Sequence, residues 1–406
     1  MEYQVHTLDN GIRLVHKPVK GIVAHCGLMV NTGSRDELEK EQGMAHFIEH
    51  VIFKGTKKRK AYHILCRLED VGGDLNAYTA KEETCIYASF LNEYYDRTLE
   101  LFSDIAFNSV FPAKELNKEK EVILDEINSY LDSPSEQIFD DFEELVYKDH
   151  PIGRNILGTP AIIKKFRQSD VKQFIANNYF TSEMVVCSVG EISFKKLITS
   201  FEKYFNQVPR KDRNKDRQAF NTYIPNTLEI KKDTYQTHCN IGNVAYSIQN
   251  NKRVGLFLLN NILGGPGMNS RLNMSLREKY GYAYNIESHY TPYSDTGMVN
   301  IYFGTDNGYL PKSLAIINRE IKLLQTKRLG TLQLSKAKKQ LTGQLAISNE
   351  NMVSQMLSMG KSFLVFDKCE SMEEVNAKIE AIKASEILEI ANEVYSLDQL
   401  SKLVFY

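Results

Sequence analysis

Two short stretches of the chain can be laid on one another at a constant sequence offset. Residues 115–120 read Glu-Leu-Asn-Lys-Glu-Lys, and residues 333–338 read Gln-Leu-Ser-Lys-Ala-Lys. Both stretches precede helical sequence, and each lies at a similar depth in its half of the chain. Such a repeat is typical of an ancient duplication. We therefore expect the chain to fold as two related halves.

The two halves are predicted to be joined by an exposed linker. The chain has 406 residues, too many for one ordinary core, and this length alone suggests about two to four domains. Residues 210–217 form the most polar stretch in the sequence, and the apolar pattern resumes only near Thr227. The sequence thus predicts a first domain at 1–208, a linker at 209–228 and a second domain at 229–406.

Charge and hydropathy exclude several classes of function. Fifty basic residues against fifty-one acidic residues leave a net charge of -1, so no overall field favours nucleic acid or an anionic membrane surface. No apolar run approaches the roughly 20 residues that span a bilayer. The first residues have neither a basic start nor an apolar signal core. We therefore expect a cytoplasmic protein that binds neither nucleic acid nor membranes.

The six cysteines are scattered along the chain without a close Cys-x-x-Cys pair. This spacing argues against a zinc site built from thiolates. Because no secretory context is evident, we expect reduced and mostly buried thiols that serve in packing.

Strand-like and helical patterns alternate in the first hundred residues. An Asn-Gly turn within 7–15 predicts a hairpin, and 23–30 is an apolar strand. Helical spacing follows over 43–54 and 61–71, and both stretches stop at glycine. Residues 76–90 are again rich in β-formers. The pattern predicts a sheet covered by helices.

The predicted helix over 43–54 contains the pattern His-Phe-Ile-Glu-His. Residues three and four apart share one face of a helix, so His46, Glu49 and His50 are expected to project into one small volume. Two imidazoles and a carboxylate suit zinc, which in catalytic sites takes three protein ligands and keeps a fourth position for water. The order His-x-x-Glu-His is an inverzincin signature. The pattern predicts a zinc site that needs one more ligand.

A long helix predicted over 112–131 supplies candidates for that ligand. Its main carboxylates are Glu115, Glu119, Glu121 and Glu126. Glu119 and Glu126 are seven residues apart and share a side with Ile123, which favours a position near buried structure. Carboxylates on a long helix are also common as a solvated face, and the two histidines with Glu49 can likewise form a simple polar face. On the residues alone, both interpretations stay open.

The segment from Gly43 to Thr56 resembles the signature of the superfamily that contains pitrilysin, insulin-degrading enzyme and mitochondrial processing peptidase. In that superfamily the third ligand is a glutamate at a characteristic distance after the second histidine, and the same distance counted from His50 selects Glu126. The resemblance therefore implies one Zn²⁺ ion per chain, bound by His46, His50 and Glu126. Glu119 matches the superfamily's second acidic residue, which implies a supporting role in catalysis.

The same resemblance implies an α+β fold. It consists of two related α/β halves from an internal duplication, each a mainly antiparallel sheet packed with helices, as in short, two-domain bacterial relatives of the processing peptidases. The first domain would be the zinc-binding catalytic domain. The repeat offset places Ala337 and Gln344 where the first half has Glu119 and Glu126. We therefore expect the second domain to bind no metal.

Two further segments resemble the substrate-binding parts of the superfamily. The Gly-Gly-Asp-Leu-Asn-Ala-Tyr-Thr run at 72–79 looks like the glycine pair and Asn-Ala segment that lead into the edge strand beside the zinc. This implies that Asn76 and Ala77 bind substrate, because an extended peptide can add to a sheet edge through main-chain hydrogen bonds. In the second half, Arg277 and Tyr284 match the pair that clamps the substrate carbonyl, and Tyr284 can donate to a developing oxyanion.

The resulting hypothesis is a zinc-dependent endopeptidase that cleaves unfolded or short peptides. Glu49 would take the proton of the zinc-bound water and return it to the leaving amine. The chain has about half the length of single-chain relatives such as insulin-degrading enzyme, so the resemblance implies a homodimer. The alternatives are a catalytically silent scaffold and a peptide-binding partner subunit of the same family. Manganese or cobalt could replace zinc, because these ligands accept several divalent ions.

Overall fold

The computed structural model describes residues 3–406, which form two compact units. Each unit is assembled from three separate segments of the chain: residues 3–127, 154–217 and 347–371 in the first, and residues 128–153, 218–346 and 372–406 in the second. The compact units are therefore discontinuous in sequence, whereas the domains predicted at 1–208 and 229–406 are contiguous. The predicted bounds refer to the two repeated halves of the sequence, and they stay a prediction.

The first unit contains a six-stranded sheet. Its strands are β1 Gln4–Thr7, β2 Arg13–Pro18, β3 Val23–Val30, β4 Asp74–Thr79, β5 Thr84–Leu91 and β6 Met184–Gly190. Their order is β1-β2-β6-β3-β5-β4, and only the β2–β6 pair is parallel. The predicted hairpin is β1–β2, and the predicted strand over 76–90 is in fact two strands, β4 and β5, because a turn at 80–83 reverses the chain. Strand β4 lies at one edge of the sheet.

The second unit repeats this arrangement in a five-stranded sheet. Its strands are β7 Thr227–Ile230, β8 Thr237–Ala245, β9 Ala283–Pro292, β10 Gly297–Thr305 and β11 Ser401–Phe405. Their order is β7-β11-β8-β10-β9, and only the β7–β11 pair is parallel. Strands β2 to β6 thus correspond one by one to β7 to β11 in order and direction. The halves are related, as the sequence repeat predicts.

Helices account for most of the remaining chain. The first unit contains α1 Met44–Val51, α2 Ala61–Glu69, α3 Tyr95–Asn108, α6 Pro160–Ile163, α7 Gln168–Asn178, α8 Phe194–Phe205 and α12 Met352–Phe366. The second unit contains α5 Pro134–Val146, α9 Arg253–Gly264, α10 Leu310–Thr326, α13 Met372–Ala381 and α14 Ala384–Val394. Two of the boundaries between the units fall within the remaining helices, α4 Ala113–Leu131 and α11 Thr331–Ser348. Among residues 3–406, no helix combines the length and apolar composition needed to cross a membrane.

The first sheet is buried on both faces. Alternate residues of a strand point to opposite faces, so Val186 of β6 packs in the large core with α1, α3 and α7, while its neighbours Val185 and Cys187 face away from it. Helix α12 covers that second face with Met356, Met359, Phe363 and Leu364. All six cysteines are free and four of them are buried, which confirms the prediction of buried thiols.

The second sheet is covered in the same way by a helix from the other half of the sequence. Ile138, Phe142 and Val146 of α5 pack against Leu403 and Phe405 of β11. The repeat offset found in the sequence also relates the first residues of α5 and α12, Pro134 and Met352. Each compact unit therefore contains one helix that the sequence order would assign to the opposite half.

The predicted linker has neither helix nor strand over residues 209–226, and none of these residues is buried. Its first part, up to Arg217, is nevertheless attached to the first unit. The guanidinium groups of Arg213 and Arg217 bind the carboxylate of Asp36 at 3.0 Å and 2.8 Å. The side chain of Asp36 is only 4% exposed, so this ion pair is largely shielded from solvent.

Replacing Met356 by alanine is expected to destabilise the protein by about 2–5 kcal/mol, because its fully buried side chain fills the contact between α12 and the first sheet. The matched control is Met352→Ala, one turn earlier on α12, where the side chain is 37% exposed. Urea denaturation followed by circular dichroism measures both. Equal unfolding midpoints for the two variants would contradict the packing described above.

Candidate metal centre

Helix α1 is preceded by Gly43, at a position where any other residue would be strained. Gly43 adopts a left-handed conformation with φ +87°, and a β-carbon there would lie 2.7 Å from the carbonyl oxygen of Leu157. Because Gly43 has no side chain to cap the helix, the first N–H groups of α1 need an acceptor from elsewhere. Glu37 supplies it, accepting from the N–H groups of Gly43 and Ala45 at 2.9 Å and 2.8 Å.

The two histidines of α1 and one carboxylate of α4 converge. The facing Nε2 atoms of His46 and His50 lie 3.7 Å and 3.6 Å from Oε1 and Oε2 of Glu126, respectively. The nearest ligand atoms of the three residues all lie within 4.8 Å of one another. Within residues 3–406, this is the one cluster of three or more His, Cys, Asp or Glu side chains with this geometry.

This donor set fits a zinc ion. Zinc takes nitrogen and oxygen ligands at about 2.0–2.2 Å, and a tetrahedral site therefore separates its donor atoms by about 3.4 Å. The observed separations of 3.6 Å and 3.7 Å are close to that value. Burial, followed by the neighbouring His50, lowers the pKa of His46 to about 4. Its ring is therefore neutral near pH 7, which is the form of imidazole that binds a metal.

Glu119 contacts the outer side of His50 rather than the cluster itself. Its Oε2 lies 3.4 Å from Nδ1 of His50, and its Oε1 lies 2.8 Å from the ammonium nitrogen of Lys54. This contact favours the tautomer of His50 that has its proton on Nδ1 and leaves Nε2 free for a metal. In contrast, Nδ1 of His46 is buried without a hydrogen-bond partner among the described residues.

Glu49 lies between the two histidines on the same helix and belongs to no ion pair at the cluster. Burial raises the pKa of Glu49 above its ordinary value, while hydrogen bonds from the hydroxyl and main chain of Thr79 act in the opposite direction. Thr79 is the last residue of β4, so the edge strand contacts the helix that contains the histidines. A carboxylate beside the His46–His50–Glu126 cluster is a candidate for proton transfer.

Asn76 and Ala77 lie in the middle of the edge strand. At these positions β4 pairs with Tyr87 and Ile86 of β5. Within residues 3–406 no strand pairs with the other side of β4, so a further strand could add there. The amide of Asn76 is exposed and donates to Asp74 at 2.8 Å, whereas Ala77 packs against the core.

Arg277 and Tyr284 belong to the second compact unit. Arg277 lies in a π-helical turn, Asn273–Lys279, and Tyr284 lies near the start of β9. The guanidinium carbon of Arg277 is 4.7 Å from the centre of the Tyr284 ring, and this ring is 78% exposed. The structure therefore brings the two residues together as a cation–π pair.

Comparison with known proteins identifies the family. Residues 14–160 match the model described as insulinase, peptidase family M16, and residues 165–341 match the one described as the peptidase M16 inactive domain. An uncharacterized zinc protease of Bacillus subtilis is 32% identical, over 98% of this chain and 97% of its own length. The chain belongs to the insulinase family, peptidase family M16. A second M16 relative, an uncharacterized zinc protease of Rickettsia bellii, is 32% identical over 99% of this chain and 97% of its own.

Solved structures confirm the fold of an M16 protein. A protease from Helicobacter pylori aligns over 100% of this chain and 99% of its own, with a TM-score of 0.89 and 23% identity. A protein from Pseudomonas fluorescens described as a peptidase M16 inactive domain aligns over 100% and 98%, with a TM-score of 0.90 and 18% identity. At these identities the likeness concerns the fold alone. It confirms two related halves with mixed sheets and helices.

Three residues that contact this centre were not singled out from the sequence. Glu37 is an acidic residue shortly before a helix, a position where a capping carboxylate is common, and this signal was available. Lys54 is four residues after His50, but its partner Glu119 lies on a different helix, far away in sequence. Thr79 appears in the Asn-Ala segment, where nothing in the sequence connects it with Glu49.

Replacing Gly43 by alanine is expected to destabilise the protein beyond the cost of a left-handed residue, because the new β-carbon would clash with the oxygen of Leu157. Gly72→Ala is the matched control, since Gly72 has φ +76° and nothing within 4 Å of its β-carbon position. The control should lose about 1–2 kcal/mol in urea denaturation. An equal loss of stability in both variants would show that position 43 requires glycine only for its left-handed backbone conformation.

Proposed function

We propose that this M16 protein is a zinc-dependent endopeptidase that cleaves unfolded or short peptides. His46, His50 and Glu126 would hold one zinc ion. The observation that supports this most directly is their convergence at 3.6–3.7 Å, with both Nε2 atoms facing the same carboxylate. The relatives from Bacillus subtilis and Rickettsia bellii are named zinc proteases, which supports the choice of metal.

The proposed chemistry assigns the proton transfers to Glu49. Zinc in such a site polarises the scissile carbonyl and lowers the pKa of a water molecule that it binds. A carboxylate oxygen of Glu49 takes a proton from the attacking water and later returns it to the leaving amine. Thr79, the last residue of β4, favours the charged form of this carboxylate, so the proposed base lies beside the edge strand.

Glu119 acts through His50 rather than on substrate. By accepting a hydrogen bond from Nδ1–H of His50, its carboxylate favours the tautomer whose Nε2 carries no proton and can bind a metal. Lys54 binds the other oxygen of Glu119 and so fixes its direction. Glu119 is thus a positioning residue of the proposed mechanism.

Substrate binding would use the two segments that resemble those of the superfamily. Every second residue of an antiparallel edge strand directs its main-chain N–H and C=O away from the sheet, so the segment of β4 that contains Asn76 and Ala77 offers groups to which an extended peptide can add as a further strand. In the second unit, Arg277 orients Tyr284 through its cation–π contact, and the phenol donates a hydrogen bond to the substrate carbonyl. Main-chain recognition suits substrates that are unfolded or short, because most extended segments of a folded domain already have their main-chain groups paired within that domain.

The variant that tests the mechanism is Glu49→Gln, which retains the zinc ligands but has no carboxylate to accept a proton. We expect it to bind about one zinc per chain and to lose at least about 10²-fold in kcat. Glu69→Gln, on the exposed side of α2, is the control and should behave as the native protein. Elemental analysis measures zinc, and hydrolysis of a quenched mixed-peptide pool measures turnover. Full activity of Glu49→Gln would exclude Glu49 as the base.

Metal removal separates this function from its alternatives. Chelation should abolish cleavage, and added zinc should restore it. Zinc bound in stoichiometric amount without cleavage would favour a subunit that needs a different partner chain. Absence of both zinc and cleavage would favour a catalytically silent scaffold.

We also propose that the active form is a homodimer, because this chain contains both the metal cluster and the Arg277–Tyr284 pair but has about half the length of single-chain relatives. Light scattering coupled to gel filtration should give about twice the chain mass of 46.5 kDa. A fully active monomer would contradict this proposal.

A further inference from the structure

We infer that Glu37 is a positioning residue of the metal centre. Its carboxylate fixes the start of α1 and thereby sets the positions of His46 and His50 against Glu126. This inference rests on the proposed zinc site, and it adds a residue that lies outside the cluster.

Glu37 makes a two-pronged contact with the metal-binding helix. Oε2 accepts from the N–H of Gly43 and Oε1 accepts from the N–H of Ala45, the residue directly before His46. The whole residue is only 3% exposed, so water does not compete for these hydrogen bonds. A carboxylate at a helix N-terminus is also favoured by the helix dipole. The contact thus joins a charged acceptor to the first turn of α1.

The backbone that carries the anchoring carboxylate is held in place by contacts at Glu37 and at its neighbour Asp36. Nη1 of Arg154 donates to the main-chain oxygen of Glu37 at 2.9 Å, and Nζ of Lys81 donates to the main-chain oxygen of Arg154 at 2.7 Å. On the other side, Asp36 is bound by the two linker arginines, Arg213 and Arg217. Contacts from Lys81, Arg154 and the linker arginines therefore fix the backbone position of Glu37.

A residue with this role is needed because the usual cap cannot form. Helices are commonly capped by a Ser, Thr, Asp or Asn side chain at the residue before the first turn. Here that residue is Gly43, where a β-carbon would meet Leu157 at 2.7 Å. Burial of a carboxylate is unfavourable, and it raises the pKa of Glu37 well above its ordinary range. We therefore expect the buried Glu37 to set the position of α1 as well as to stabilise the protein.

The short length of α1 makes the position of its first turn important for the metal ligands. The helix has eight residues, with His46 in its first turn and His50 in its second. A change in the direction of the first turn therefore moves both Nε2 atoms relative to Glu126, which belongs to another helix. Since zinc requires donor atoms about 3.4 Å apart, small displacements weaken binding.

The test is Glu37→Gln, whose amide offers one acceptor where the carboxylate offers two, so one N–H of α1 meets an NH₂ group. We expect its zinc affinity, measured by competition with a chelator, to fall about 10–100-fold. The visible absorption bands of the Co²⁺-loaded protein should shift, and kcat should fall while KM stays unchanged. The matched control is Glu41→Gln, because Glu41 accepts from the N–H of Leu38 at 3.1 Å in the same loop without contacting α1.

The outcomes separate this inference from the proposed function. If the native protein binds no zinc, the metal site is refuted and the role of Glu37 is refuted with it. If the native protein binds zinc and Glu37→Gln binds it equally well with the same Co²⁺ spectrum, Glu37 is only a stabilising cap and the zinc site stands. If Glu37→Gln does not fold, Glu37→Asp retains the charge but withdraws it by one CH₂ group. Its zinc affinity should then fall several-fold, and native affinity would overturn the inference.

Discussion

The candidate metal centre depends on the burial of one short helix against the first sheet. An eight-residue helix is not stable alone in water, so α1 is held by its packing. Met44, Phe47, Ile48 and Val51 of this helix are fully buried. This packing leaves one face for His46, Glu49 and His50, and it directs that face toward Glu126 and β4. The chemistry of the site is therefore a by-product of which side of α1 is apolar.

Much of this arrangement follows from the sequence because its determinants are local. Helical spacing alone puts His46 and His50 on one face, and the structure has α1 at 44–51 within the predicted 43–54. The repeat offset predicted two related halves, and the corresponding strand orders confirm them. The spacing of α4 puts both Glu119 and Glu126 on the side of Ile123, and only the resemblance selects Glu126 as the ligand.

Other features could not be predicted because they depend on contacts between distant segments. The apolar pattern of α12 indicates a buried face but not which sheet it covers, so contiguous domains were the natural expectation. Lys54 and Glu119 meet only once α1 and α4 are packed together. The linker arginines were expected to be solvated because of their composition, yet two of them bind the shielded Asp36. In each case the sequence shows the type of side chain but not the sheet or residue that it contacts.

Helices α5 and α12 each cover the sheet of the opposite half of the sequence. The first unit therefore cannot be completed early in synthesis. The chain is synthesised from its amino terminus, so all strands of the first sheet have been made once β6 ends at Gly190. The face formed by Val185, Cys187 and Val189 nevertheless stays without its cover until α12 emerges at residues 352–366. During synthesis the first unit therefore exposes an apolar sheet face while the intervening chain is added, which takes about ten seconds or longer at roughly 5–20 residues per second. The unit that contains the metal cluster is finished only when nearly the entire protein has been translated.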